Sequence, residues 1–253
     1  MLGEMFMVDN GIGGVGAVTG AKAHVVGVRR VGVPLESQPE AIMEATDFLK
    51  FGDAMLLEMQ VWDKAGKDWP VEIFDAEFDV IRLAVAKGIT VVEPAANGGQ
   101  DMDKPVLRDG DTEPRGFLVK GSPDYRESGA IMVGAGSPGL PHTRLDFSNH
   151  GARVDVYSWG NSIATTNVAE GADPQSDVST YGEFDGTSGA SPIVAGAVLS
   201  IQGMVSANRG VKLSPEAMRK LIVVGGTPSA NPAQDRIGVQ PNLKALIDGG
   251  HLR

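Results

Sequence analysis

The hydrophobic pattern of the chain switches between a helical period and short apolar runs. Apolar residues at helical spacing predict helices over 39–50 and 75–87, and a capping serine followed by proline predicts a helix over 214–221. Short apolar and β-branched runs predict buried strands over 54–61, 89–92, 129–135 and 154–158. Strands that alternate with helices predict a parallel α/β sheet with right-handed crossovers, in which ligands gather at the carboxyl ends of the strands.

The remaining segments are predicted to form short elements and loops. A short apolar helix over 1–8, a strand over 22–28 and a last helix over 243–247 complete the predicted elements. Polar or charged loops are predicted over 62–72, 101–128 and 159–183. No internal repeat is visible, so residues 1–253 are predicted to form a single domain.

Composition narrows the class of protein. With 253 residues, 42% of them apolar, the chain is long enough for one full-sized core. The net charge of −10 argues against nucleic acid and anionic membranes as partners. The absence of cysteine excludes disulfides and thiol catalysis. No apolar stretch approaches about 18 residues and no basic segment begins the chain, so neither a membrane helix nor a secretory signal is expected, and the compartment stays unknown.

One turn of small residues has the form that presents a nucleophile. Residues 185–192 (DGTSGASP) lead directly into an apolar, Ala-rich helix that is predicted to run to about Met204. Gly186 allows a tight turn, Pro192 suits a first helical turn, and the first helical amides face whatever Ser188 attacks. The plain alternative is a Ser/Thr cap on a buried helix.

A glycine-rich stretch near the start invites a second interpretation. Residues 11–16 (GIGGVG) satisfy the spacing of a dinucleotide-binding loop. That fingerprint needs a strand before it and a helix after it, whereas here a helix is predicted before it and a strand after it. A tight glycine-rich loop is therefore favoured.

Residues 186–192 resemble the nucleophile motif of the subtilisin-like serine peptidases, the subtilases. Residues 91–98 resemble the family's strand and loop that carry the oxyanion asparagine, and 147–155 and 237–239 are similar to later family segments. The resemblance covers essentially the whole chain. It implies a subtilisin-like three-layer α/β fold, with a central, mostly parallel sheet and helices on both faces, truncated at the N-terminus.

The resemblance also implies a mechanism. Ser188 would attack a peptide carbonyl to give an acyl-enzyme, and the Asn97 side chain and the Ser188 amide would stabilise the oxyanion. No cofactor is required for this chemistry. The alternative for Asn97 is an ordinary turn asparagine.

The same resemblance implies how a polypeptide substrate is held. The segment that contains Glu58, Met59 and Gln60 is similar to the strand that pairs with an extended substrate, and Gly98 lies beside the oxyanion asparagine. Glu58 either favours a basic side chain in the first pocket or faces solvent.

Departures from the family pattern limit the expected activity. Ala96 stands where the family usually has glycine, and the family's aspartate and His-Gly-Thr motifs are not found. Residues 1–3 resemble the continuation of the histidine helix, so that histidine is expected just before Met1. The isolated chain is therefore expected to be a strongly impaired peptidase. The alternatives are a peptide-binding remnant without catalysis, or a weak esterase on activated esters.

Two further expectations concern a metal and partners. Residues 8–14 resemble a subtilase calcium loop, with ligands from the Asn10 side chain and the carbonyls of Val8, Ile12 and Gly14. Because part of that site would lie upstream, calcium binding here is at best partial. Loss of a central strand predicts an open sheet edge, and with it self-association or a complementing N-terminal segment.

Overall fold

A six-stranded sheet forms the centre of the molecule. The computed structural model describes residues 1–11, 13–29, 32, 36–168 and 179–253. The strands lie in the order β1-β4-β5-β6-β10-β9, and every pairing is parallel except that of β9 with β10. The predicted parallel α/β sheet is therefore confirmed. The strands are β1 (Ala54–Leu56), β4 (Thr90–Pro94), β5 (Ile131–Gly136), β6 (Val156–Trp159), β9 (Thr227–Pro228) and β10 (Val239–Gln240).

The predicted helices are present, with small shifts at their ends. Ser37, Ser214 and Asn242 each begin a helix by accepting a hydrogen bond from an amide three residues later, as good N-caps do. The helices are α1 (Leu2–Phe6), α2 (Gln38–Phe48), α3 (Asp75–Ala86), α4 (Thr187–Arg209), α5 (Pro215–Ile222), α6 (Pro232–Asp235) and α7 (Leu243–Asp248).

Alternation along the strands builds a layer of core on each face of the sheet. In β4, Val91 packs with Ile42 of α2 and Ile81 of α3, whereas Val92 belongs to the core formed with α4. Helices therefore cover both faces, as in a three-layer fold. Each of these side chains is at most 1% exposed, so the sheet is a rigid base for the loops at its edge.

Helix α4 crosses the middle of the fold. It is 23 residues long and, by length and composition, is the one described helix that could cross a membrane. Within the fold, 56% of its apolar window is buried against the sheet, as expected of a core helix.

Two predicted loops contain short hairpins instead. β2 (Val61–Trp62) and β3 (Asp68–Trp69) pair within the predicted polar loop 62–72. β7 (Ile163–Val168) and β8 (Ser179–Phe184) pair within the predicted loop 159–183, so that prediction was wrong. In β7 and β8, polar residues hid the alternation, because an antiparallel pair with one solvent-exposed face needs few apolar residues. Strands β2 and β3 are two residues long each, which is too short for a period to be visible.

The predicted strand over 22–28 is also wrong. These residues form no strand, and Val25 is 73% exposed. Their β-branched composition fits a strand, but no neighbouring strand among the described residues pairs with them. The glycine-rich stretch before them follows α1 and precedes this irregular segment, so it lacks the context of a dinucleotide site.

Strand β1 lies at the edge of the sheet. Its only strand partner among the described residues is β4, which it pairs in register from Ala54 opposite Thr90 to Leu56 opposite Val92. An open edge of this kind can accept another strand. Self-association and a complementing segment stay predictions.

Candidate active site

The serine turn is held tightly at the start of α4. Gly186, the N-cap, has φ +94°, a conformation that glycine tolerates well. Its amide donates to the Gly160 carbonyl at 2.8 Å, and the Asp185 carboxylate accepts from the Ser162 amide at 2.9 Å. Ser188 is the second residue of the helix, where amides have no acceptor within the helix. Its hydroxyl and amide are therefore presented together at a partly positive helix end.

Pro192 lies deeper in the helix than predicted. It is the sixth residue of α4, because the helix already begins at Thr187. Proline has no N–H, so the carbonyl of Ser188, four residues earlier, loses its usual helical donor. Next to Pro192, the buried Ser191 hydroxyl donates to the Thr187 carbonyl at 2.8 Å.

Asn97 is joined directly to the serine turn. The Asn97 Oδ1 atom accepts from the Thr187 amide at 2.8 Å and from the Thr187 hydroxyl at 3.0 Å. The Asn97 Nδ2 atom donates to Gln60 Oε1 at 3.2 Å. An amide nitrogen carries two hydrogens. No second acceptor for it is found among the described residues, so one N–H is left for a ligand.

The loop that carries Asn97 is braced by a residue that sequence reasoning overlooked. The Asn149 amide donates to the Ala96 carbonyl at 3.1 Å, and its side chain accepts from the Gln100 amide at 2.7 Å and donates to the Asp68 carbonyl at 2.9 Å. Asn149 is fully buried. Its only signal in the sequence was its place in the segment 147–155, which gave no hint of a role.

Two small residues allow the Asn97 loop to take its shape. Ala96 has φ +75°, an unusual conformation for a residue with a side chain. This explains why glycine suits that position, and the Ala96 side chain is nevertheless fully buried. A Cβ on Gly98 would lie 2.4 Å from the Asp68 carbonyl oxygen, so a larger residue there would displace the loop.

The segment after β1 faces the same loop. The Leu57 amide still pairs with the Val92 carbonyl at 2.9 Å, but no backbone hydrogen bond of residues 58–60 to the described chain is found. Gln60 uses its side chain to hold Asn97, and Met59 packs against the core formed by α2 and α3. Gln60 is thus a support for Asn97 as well as a predicted substrate contact.

Glu58 points inward rather than to solvent. Both carboxylate oxygens are shielded from water, and neither has an aligned hydrogen-bond partner among the described residues. Burial raises the pKa of Glu58 to about 8, although the nearby Ser188 hydroxyl and the Met1 amine oppose the rise. The carboxylate of Glu4 adds to the pKa increase.

Each of the four histidines lies in a part of the fold other than the serine turn. His24 stacks on Phe48 with ring centres 6.1 Å apart, and the His142 ring bonds the Ser137 carbonyl at 2.7 Å. His150 follows Asn149 in the bracing loop, and burial lowers its pKa. His251 lies in the turn after α7.

The candidate calcium loop is described only in part. Ile12 lies outside the described residues. The Gly14 amide donates to the Tyr181 hydroxyl at 3.1 Å, and the Val8 side chain is exposed. No group of three acidic or histidine side chains that could hold a metal occurs in the described part of the chain. Calcium binding through Val8, Asn10, Ile12 and Gly14 therefore stays a prediction.

Solved structures with a similar fold are proteases. The self-cleaved protease domain of PatA superposes with a TM-score of 0.66 at 18% identity, covering 98% of this chain and 81% of that one. Fervidolysin from Fervidobacterium pennivorans, a keratinolytic enzyme related to subtilisin, gives a TM-score of 0.56 at 20% identity, covering 83% of this chain and 28% of that one. A protease from Pseudoalteromonas arctica gives a TM-score of 0.53 at 18% identity, covering 80% of this chain and 55% of that one.

At 18–20% identity, these structural similarities show the fold alone. The family is identified by sequence comparison. The chain spans 55% and 28% of the lengths of two of these proteases, so their whole-protein activities do not transfer directly. No curated protein sequence matches the chain. The sequence profile of the subtilase family, Peptidase_S8, matches residues 3–237, which is most of the chain. The protein is a member of the subtilase family of serine peptidases.

Proposed function

We propose that this chain hydrolyses peptide bonds through an acyl-enzyme on Ser188, with Asn97 and the Ser188 amide as the oxyanion donors. The observation that carries the proposal is the contact between Asn97 Oδ1 and the Thr187 amide, which joins residues 90 positions apart at 2.8 Å. With its oxygen held by Thr187, the Asn97 side chain keeps its nitrogen as the donor, and one N–H of that nitrogen has no acceptor among the described residues. Preorganised donors of this kind stabilise the charge that develops on the carbonyl oxygen.

Under this proposal, we expect these 253 residues alone to hydrolyse peptide bonds slowly. A serine hydroxyl needs a base within hydrogen-bond reach, and the described histidines have other places. Activated esters demand less of the nucleophile than amides do. We therefore expect measurable turnover of an activated ester and weak turnover of a peptide.

Ester hydrolysis with matched variants tests the proposal. Ser188→Ala should abolish turnover of p-nitrophenyl acetate above the buffer rate, and Asn97→Ala should lower it about 10²–10³-fold, the loss measured for an oxyanion donor in subtilisin itself. Asn208→Ala, whose side chain bonds the Leu252 carbonyl, should leave turnover unchanged. Unchanged turnover in Ser188→Ala would overturn the assignment.

A peptide-binding remnant without catalysis is the second candidate. The backbone of residues 58–60 has no hydrogen-bond partner in the described backbone, so an extended peptide could pair with it as an added strand. Calorimetry with extended peptides and the Ser188→Ala variant separates the two functions. Tight binding together with no acylation of the unmodified chain would favour the remnant.

A further inference from the structure

Asn97 links the segment that carries Glu58 to the helix start that carries Ser188. Glu58 and Gln60 flank Met59, whose side chain packs against the core formed with α2 and α3. Gln60 Oε1 meets Asn97 Nδ2 at 3.2 Å, and Asn97 Oδ1 meets the Thr187 amide at 2.8 Å. Ser188 follows Thr187 directly, and its hydroxyl lies near enough to the Glu58 carboxyl group to oppose the burial-driven rise of the Glu58 pKa.

The carboxylate of Glu58 has no other good partner. Its two oxygens are shielded from solvent and lack an aligned donor among the described residues. A buried acid without a paired cation costs free energy of folding, so such groups concentrate at functional sites. The hydroxyl of Ser188 is close but not aligned, which is common in unliganded active sites.

We propose that Glu58 is the proton acceptor for Ser188 in this chain, an inference that rests on the proposed acyl-enzyme chemistry. The Ser188 oxygen forms a bond to the carbonyl carbon while its proton moves to a Glu58 carboxylate oxygen. The carbonyl π electrons move to the oxygen, which faces Asn97.

The second half of the reaction returns that proton. The carbonyl re-forms as the bond to the leaving group breaks, and the Glu58 carboxylic acid gives its proton to the leaving nitrogen or oxygen. Water then attacks the acyl-enzyme, Glu58 accepts a proton from the water, and finally returns it to the Ser188 oxygen. Glu58 ends the cycle as a carboxylate, so no further reactant is needed.

The charged groups around Glu58 set the pH range of this role. On α1, the Glu4 carboxylate faces Glu58, and the Met1 amine lies 2.7 Å from Glu4 Oε1. Burial holds the pKa of Glu58 near 8, so the carboxylate form that accepts a proton accumulates above that pH. A base with a pKa near the working pH is well suited to proton transfer.

The test is the pH dependence of Ser188 acylation by p-nitrophenyl acetate from pH 5 to pH 10, corrected with Ser188→Ala. The unmodified chain should show a rate that rises with a midpoint near pH 8. Glu58→Gln should lose this rise and react about 100-fold more slowly at pH 9. Glu58→Asp should keep a weaker rise, and Glu216→Gln, at an exposed acid on α5, should match the unmodified chain.

Other outcomes separate this inference from the proposed function. Equal rates and pH profiles in Glu58→Gln and the unmodified chain would overturn the role of Glu58 alone. No acylation of Ser188 at any pH would overturn both. Glu4→Gln keeps Glu58 in place and tests the inference even if Glu58→Gln folds poorly. It should move the midpoint to lower pH, and an unmoved midpoint would contradict the assignment.

Discussion

The buried acids around Arg153 and the buried acid Glu58 differ in whether a cationic side chain lies beside them. Arg153, Glu72 and Glu93 are each at most 1% exposed, and Arg153 Nε donates to Glu72 Oε1 at 2.7 Å. Glu58 is shielded as well, but no cationic side chain pairs with it in the described chain. The first group is organised for stability, whereas the second keeps an unpaired acid beside a nucleophile.

The Arg153 cluster distributes one positive charge among several acceptors. The Arg153 Nη2 atom bonds Glu72 Oε2 and the Ala130 carbonyl, each at 3.0 Å, and Nη1 meets Asp155 at 3.1 Å. Burial, together with the neighbouring Glu72 carboxylate, raises the pKa of Glu93 well above its usual range. Burial therefore favours the neutral form of Glu93, which spares the cluster a second uncompensated negative charge.

Breaking the matched cluster should have the largest effect. Arg153→Met leaves the Glu72 carboxylate buried without its cation, and we expect unfolding free energy to fall by about 3–5 kcal/mol. Denaturant unfolding at pH 7 measures this loss. Arg82→Met, on the exposed side of α3, should change stability by less than about 0.5 kcal/mol. A loss below about 1 kcal/mol in Arg153→Met would show that the cluster is not matched as described.

Removing the unpaired acid Glu58 should raise the stability of the protein, whereas Arg153→Met should lower it. The folded pKa of Glu58, about 8, lies above its ordinary value of 4.5, so the folded state holds a proton that the unfolded state has released. The contribution of Glu58 to stability therefore falls as pH rises from about 4.5 to 8 and is constant above that range. Glu58→Gln should be more stable than the unmodified chain by about 2–4 kcal/mol at pH 9, with almost no difference at pH 4.

Denaturant unfolding of both proteins at several pH values gives that difference directly. Glu93 titrates in both proteins, so its contribution cancels in the comparison. A Glu58→Gln variant that is less stable at every pH would mean that the carboxylate is matched after all. A stabilised variant with lost reactivity would instead show stability given up for function.

The sequence predicted the sheet and the helices well because their apolar periods are strong. It also brought Ser188 and Asn97 forward as a pair, through motifs rather than through any visible contact. It could not predict the brace by Asn149, since hydrogen bonds between distant loops leave no periodic trace. The pairing of β7 with β8 was missed because polar residues interrupt the apolar alternation in both strands.

The burial of Glu58 was also beyond the sequence. A single glutamate within the predicted strand 54–61 is compatible with either face, so the sequence leaves both a pocket and a solvent-exposed position open for Glu58. Only the contact between Gln60 and Asn97 fixes which way this segment turns. Local pattern therefore gives the elements, whereas the chemistry of the site depends on tertiary contacts between loops.

The smallest expected effect concerns the turn before Asn97. Ala96→Gly relieves a side chain held at φ +75° and should stabilise the chain by up to about 1 kcal/mol. Thermal unfolding measures the change. A clear destabilisation would mean that packing of the buried Ala96 methyl group outweighs the strain.

The most direct test of the central claim is to map the adduct of a fluorophosphonate on the intact chain by mass spectrometry. We predict a slowly formed adduct on Ser188 that is absent in Ser188→Ala and strongly reduced in Asn97→Ala. No adduct, or an adduct on another residue, would contradict the claim that Ser188 is the nucleophile. Rapid, stoichiometric labelling of Ser188 would contradict the claim that these 253 residues alone are impaired.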